Sequence, residues 1–267
     1  MKRLLFSLWV LMACHSHALA DGENTVQIIE KKNGDIIQLW ADSACNMDFT
    51  ITLTGDLQNM TSSPALPATI ESAGRQKFLL AMFRPSGAPW RWSYHYHWKR
   101  GGCGTGQTAN PTFLLPYRGE HKVIQGFLGK FSHYQGSQNE YAVDFEMPEG
   151  TSVCAARGGT VVGLRQNSNS GGADVSFKGQ ENYVIIRHDD GTYAEYEHMR
   201  QNGALVKLGQ KVAAQDPISL SGNTGHSSRP HLHFSVFNTI DGNTRATIPI
   251  RFQTKTGVVI PTEGESY

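Results

Sequence analysis

No part of this chain sustains the 3.6-residue apolar period of a helix over a useful length. What recurs is alternation of apolar and polar residues over short runs, closed by Gly, Pro, Asn or Asp. That pattern confines the chain to antiparallel β structure. Between Val26 and Trp98 it appears in FTITLTG and KFLLAMF, interrupted by SSPALPA and PSGAPW. It continues beyond residue 113 in YAVDF, GGTVVGL, NYVIIRH, TYAEYEH and HLHFSVF. The stretch VKLGQKVAAQDPISLSGNTG reads as turn-rich β structure, because Gly209, Pro217 and Gly222 break any helical period. The expected fold is therefore all-β, a β-sandwich-like N-terminal domain over residues 21–112 followed by a second β domain over 113–260. The loop RGGCGTGQTANP leads into the junction near residues 108–115.

The first residues, MKRLLFSLWVLMACHSHALA, have two basic residues, an apolar run and a small-residue site ending at Ala20. This reads as a secretory signal peptide over residues 1–20, with the mature protein outside the cytoplasm, in the periplasm if the source is Gram-negative. The run is shorter than the roughly 20 apolar residues needed to span a bilayer, and no later segment reaches that length. Leu11-Met12-Ala13-Cys14 gives a minor alternative, a lipoprotein anchored at Cys14. With 24 Lys+Arg against 23 Asp+Glu and no long basic run, nothing in the charge points to a nucleic-acid partner.

Removal of Cys14 would leave Cys45, Cys103 and Cys154. An oxidising compartment favours one disulfide, and Cys45 with Cys103, both in polar, turn-rich sequence, is the expected pair. Cys154, inside TSVCAA, is expected to be a buried free thiol.

Of 11 histidines, six form three H-x-H pairs, one of them His15 and His17 within the expected signal peptide. In WSYHYHW, Trp92, Tyr94, Tyr96 and Trp98 make an aromatic strand face, leaving His95 and His97 on the polar face. PHLHF, residues 230–234, differs by its company. Side chains two apart on a strand share a face, so His231 and His233 can converge on one ion. Upstream, His133 precedes Asp144, a carboxylate between the apolar Val143 and Phe145 that is costly to bury unless paired or coordinating a cation. Two imidazoles and a carboxylate with an open fourth position make a catalytic zinc set, which His133, Asp144 and one PHLHF histidine would supply. His198, at the end of TYAEYEH, alternates onto the face of Tyr196 and gains meaning only if it meets His231. His121, His188 and His226 read as isolated.

The ordered series His133…Asp144, GTSVCAARGGTVV, YAEYEHM and SGNTGHSSRPHLHF resembles the M23 zinc metallopeptidases of the lysostaphin and LytM type, over roughly residues 113–240. The resemblance implies a large antiparallel sheet flooring a groove. It also implies one zinc ion held by His133, Asp144 and His233, and catalytic work by His198 and His231 beside it. The implied activity is endopeptidase cleavage of peptide cross-links or stem peptides of bacterial peptidoglycan, with the D-alanyl to diamino-acid cross-link preferred over glycyl bridges. An alternative is a catalytically inactive LytM-type regulator that activates a cell-wall amidase. A third reading is a secreted binding module with incidental histidines. The N-terminal domain is a candidate site for a regulatory protein partner. Two departures stand out: ten residues separate His133 from Asp144, where the family usually has only a few, and Arg229 replaces the small residue common before the proline.

Overall fold

The computed structural model describes residues 25–103 and 110–267, so the expected signal peptide and the Cys14 anchor lie outside the described residues. Among the described residues the secondary structure is β-strand apart from one 3-10 turn, Val175–Phe177. Among the described residues no helix is long and apolar enough to cross a membrane, a statement that leaves β-barrels aside. The all-β expectation therefore holds.

Two main antiparallel sheets, with a short third one pairing Leu57–Gln58 to Arg91–Trp92, make up the N-terminal region. One runs in the order Val26–Asn33, Ile36–Ser43, Gln76–Pro85, Met60–Ser63; the other is Ala68–Ser72, Phe49–Thr54, His95–Arg100. Alternation along the strands sends Leu39, Ala41, Phe49, Ile51, Leu53 and Phe83 into one shared core. The aromatic face of WSYHYHW packs against that core through Trp92, Tyr94, Tyr96 and Trp98, whereas His95 and His97 are exposed. The regular strand begins only at His95.

The larger sheet runs in the order Val123–Gln125, Val143–Glu146, His231–Thr239, Tyr193–Glu197, Tyr183–Arg187, Gly159–Arg165, Lys211–Val212, with Arg245–Thr247 also paired to His231–Thr239. All its pairings are antiparallel. The strand His231–Thr239 is buried along its whole length. On one face Leu232, Phe234 and Val236 join Val143, Phe145, Ala194 and Tyr196 in the main core. Each such large side chain contributes about 1.5–3 kcal/mol on leaving water.

The opposite face is divided. At one end Tyr183, Ile185, Tyr193 and Phe237 form a second apolar cluster with Met47 of the N-terminal region. Asp48 seals this contact: its Oδ2 accepts from the Tyr193 hydroxyl at 2.7 Å and pairs with Arg187 Nε at 2.9 Å. The Gly102 amide donates to the same hydroxyl at 3.1 Å. Arg100 stacks on the Tyr183 ring at 4.9 Å and bonds its hydroxyl. The other end of this face carries His231 and His233. The N-terminal region thus covers the apolar part of the face that holds the histidines.

The expected Cys45–Cys103 bond is corrected here, since all three described cysteines are free thiols. Cys45 turns into the N-terminal core, fully buried, with its thiol toward the Thr25 carbonyl at 3.9 Å. Cys103 lies at the interface, its Sγ 3.5 Å from Thr50 Oγ1 and 3.5 Å from the Ile240 carbonyl. The packing of Cys45 in the hydrophobic core takes its sulfur away from the turn-rich surface where pairing was expected. Cys154 is buried and free, as its apolar surroundings imply.

Candidate metal centre and catalytic cleft

The antiparallel register places Asp144 directly opposite His233 and Glu146 opposite His231. Paired residues point to the same face, so the histidines of PHLHF and the Asp144 carboxylate share one side of the sheet. His133 is delivered by the preceding loop. The donor atoms of His133, Asp144 and His233 all lie within 4.8 Å of one another, and all three residues are buried. His233 Nδ1 is 2.8 Å from Asp144 Oδ1, and His133 Nε2 is 3.5 Å from the same oxygen.

The donor chemistry fits a metal ion. His133 Nδ1 donates to the Gly126 carbonyl at 3.1 Å, which fixes the tautomer and leaves a lone pair on Nε2. That Nε2 is buried with no hydrogen-bond partner, because the 3.5 Å contact to Asp144 is electrostatic rather than a formed hydrogen bond. His233 Nε2 is also buried and unpartnered. Unsatisfied buried nitrogens are costly in an ordinary core, and a cation among them would remove that penalty. Burial opposes the charge on Asp144, yet His133 and His233 outweigh it and hold its carboxyl well below the usual carboxylate range. Burial, with His133 and His231 as neighbours, lowers His233 against the pull of Asp144. Two neutral imidazoles and one ionised carboxylate are what a zinc site requires.

His198 reaches this site by a route that strand alternation does not give. Alternation would put it beside Tyr196, in the core. Instead His198 has φ +64°, a left-handed conformation that costs a non-glycine residue about 1–3 kcal/mol. This turn at the strand end swings the ring to the opposite face, where its centroid is 4.5 Å from that of His231 and 6.1 Å from that of His233. His198 Nδ1 donates to the Thr224 carbonyl at 2.7 Å. Thr224 is itself fixed, its hydroxyl donating to the Met199 carbonyl at 2.8 Å and accepting from the Asn182 amide at 2.9 Å. The next residue, Gly225, has φ +80°, and a Cβ there would lie 2.6 Å from Glu181 Cβ, so the SGNTG turn requires glycine at its end.

His231 Nδ1 donates to the Arg229 carbonyl at 2.8 Å. Both His198 and His231 are therefore anchored through Nδ1, with Nε2 directed away from the anchoring carbonyl. His231 Nε2 lies 3.8 Å from Asp144 Oδ1, beside the three donors. Burial, reinforced by His231 and His233, pushes His198 down to about 3. The Arg229 guanidinium pairs with Glu146 at 3.4 Å on the exposed rim, where such a pair contributes little stability.

All five histidine and aspartate candidates from the sequence thus meet at one end of one sheet face. His121 bonds the Glu146 carbonyl, His226 the Ala173 carbonyl, and His188 lies in the interior bonded to the Gly158 carbonyl, so none joins the site. Sequence reasoning missed Thr224, Gln125 and Glu197. Gln125 Nε2 donates to Asp144 Oδ2 at 2.9 Å. Glu197 stands in register with His233 on the side away from Asp144, and burial together with Glu195 and Glu181 raises its pKa well above the usual range. A Gln or a strand Glu carries no recognisable spacing, and only pairing register brings these residues to the site.

Part of this chain is similar to known proteins. The model of peptidase family M23 matches residues 138–246. An uncharacterized metalloprotease of Buchnera aphidicola is 31% identical over 141 residues, 49% of this chain and 33% of that protein. The peptidoglycan DD-endopeptidase ShyA of Vibrio cholerae is 40% identical over 93 residues, 35% of this chain and 19% of its own length. The chain thus spans a third or less of these two relatives. Among solved structures, lysostaphin from Staphylococcus simulans aligns at 32% identity with a TM-score of 0.36, covering 48% of this chain and 47% of that one. The matched family segment holds Asp144, His198, His231 and His233 and begins just after His133, within the long excursion between the first two candidate ligands. Residues 138–246 of this chain are thus similar to peptidase family M23.

Proposed function

We propose that the protein is a zinc metalloendopeptidase that cleaves peptide cross-links or stem peptides of bacterial peptidoglycan outside the cytoplasm. The observation that carries this reading is the convergence of three buried donors, two with unpartnered nitrogens, beside two histidines anchored through Nδ1. The endopeptidase activity named for the Vibrio cholerae relative supports the substrate class. His133, Asp144 and His233 would hold zinc, which supplies a Lewis acid that polarises a carbonyl and acidifies water.

The remaining chemistry belongs to the chain. His231, anchored through Nδ1, takes the proton of the attacking water at Nε2 and returns one to the leaving amine. His198 is too weak a base for that step at about 3. Its Nε2, once it has taken a proton from solvent water, can donate to the negative charge that develops in the transition state and return that proton to solvent afterwards. Phe131 and Tyr134, 84% and 58% exposed on either side of His133, offer apolar contact to a peptide at the rim. A substrate with a D-alanyl to diamino-acid cross-link is the first choice.

In this reading residues 1–20 are a signal peptide and 21–112 an accessory domain, through which a regulatory partner would act. An inactive amidase regulator is disfavoured, because the donor set is complete. Mass analysis of products from defined cross-linked muropeptides incubated with zinc-loaded protein tests the proposal. Release of the expected free peptides supports it; no cleavage by protein with zinc bound would overturn it.

A further inference from the structure

An excursion of ten residues separates His133 from Asp144, so something must return both donors to one point. We propose that Gln125 is the positioning residue that does so, clasping the His133 loop to the Asp144 carboxylate. The proposal rests on the reading of His133, Asp144 and His233 as a metal site.

Gln125 ends the strand Val123–Gln125, and only 5% of it is exposed. Its Nε2 donates to Asp144 Oδ2 at 2.9 Å and to Ser132 Oγ at 2.9 Å. Its Oε1 accepts from the amides of Phe131 at 3.0 Å and Ser132 at 3.1 Å. One side-chain amide thus uses both donors and both acceptor lone pairs. The amide orientation is dictated by its partners, since a reversed group would set its oxygen against a carboxylate and its NH2 against two N–H donors. The adjacent Gly126 carbonyl holds His133 Nδ1, so two consecutive residues orient two of the three candidate ligands.

The loop is shaped to lie on this side chain. A Cβ at Gly129 would sit 2.5 Å from Gln125 Cγ and 3.0 Å from the Gly126 carbonyl oxygen. Glycine at 129 lets the chain cross directly over the clasp, and the clasp occupies Oδ2 of Asp144 while Oδ1 faces the histidines. Partners that orient metal ligands in this way typically change metal affinity by about 10–100-fold. The length of the excursion is therefore not an obstacle to a metal site, because the ligands are tied through Gln125 rather than by short chain spacing.

Gln125→Met keeps the length and removes all four bonds; Gly129→Ala leaves every hydrogen-bonding group intact and pushes on the clasp with a methyl group. Zinc affinity is read by chelator competition well below the melting temperature, and site geometry by the cobalt(II) absorption band. Both variants should bind zinc about 10–100-fold more weakly than wild type and shift the cobalt band. Ser132→Ala, which removes one bond, should have a smaller effect. A folded Gln125→Met protein with wild-type affinity and band would overturn the proposal. If that variant does not fold, hydrogen exchange of the wild type decides: the Phe131 and Ser132 amides should be protected, and free exchange at both would overturn the clasp. A wild-type protein without zinc affinity would instead refute the metal site itself.

Discussion

Asp144 and His233 face each other across two neighbouring antiparallel strands, with His233 Nδ1 2.8 Å from Asp144 Oδ1. Because the register that pairs them also sets His231 on the same face, ligand and catalytic roles can be divided within PHLHF. His233→Ala should abolish zinc binding and reduce hydrolysis more than about 100-fold, beyond the range seen for groups outside the coordination sphere. Zinc stoichiometry and muropeptide turnover check this together, and a variant with full activity would refute the ligand assignment.

His231→Ala should retain zinc and lose about 10²–10⁴-fold in turnover, the usual contribution of a positioned acid–base group. Its Nδ1 is held by the Arg229 carbonyl rather than by another candidate ligand. Loss of zinc along with activity would show that the two histidines do not divide the work as proposed.

Arg245 NH2 meets the buried Glu195 at 2.5 Å, on the sheet face that carries His233. Arg245→Met removes the contacting cation, leaves the buried carboxylate only the charge of Arg100, and should destabilise the fold by up to about 3–5 kcal/mol. Adding Glu195→Gln should recover much of that loss. Chemical denaturation of both variants measures it, and an unchanged midpoint for Arg245→Met would contradict the pairing.

Tyr193→Phe removes the hydroxyl that bridges Asp48 and the Gly102 amide. The expected loss is about 1–3 kcal/mol, with earlier proteolysis between the N-terminal region and the large sheet. Limited proteolysis and a melting curve distinguish this from a neutral change.

His188 is buried, and burial lowers its pKa from 6.5, with the Gly158 hydrogen bond opposing. As pH falls below about 6.5, the unfolded chain takes up a proton that the folded site resists, so stability falls by at most about 1.4 kcal/mol per pH unit for this one group. His188→Asn, which keeps an N–H donor, lacks this sensitivity. The stability advantage of the wild type over the variant should therefore shrink between pH 7 and pH 5, as measured by denaturant melts of metal-free protein.

Much of the fold was legible because alternation of side chains and turn residues are local properties. FTITLTG and HLHFSVF declare a buried face wherever they lie, and the polar face of WSYHYHW declares its exposure. His133, Asp144, His198, His231 and His233 were nameable from residue type, order and resemblance. The fate of Cys45 was not, because its side-chain direction is set by packing in the N-terminal core.

The sequence by itself determined the strands, the turns and the identity of the chemically capable side chains, since each depends on neighbours close along the chain. Only tertiary structure decided how they meet. Antiparallel register put Asp144 and Glu197 on either side of His233. A left-handed turn carried His198 across the sheet, and a distant glutamine ties together two candidate ligands that the chain holds ten residues apart. Register, backbone handedness and side-chain bonds across a loop are relations between remote segments, and no local pattern of residues encodes them.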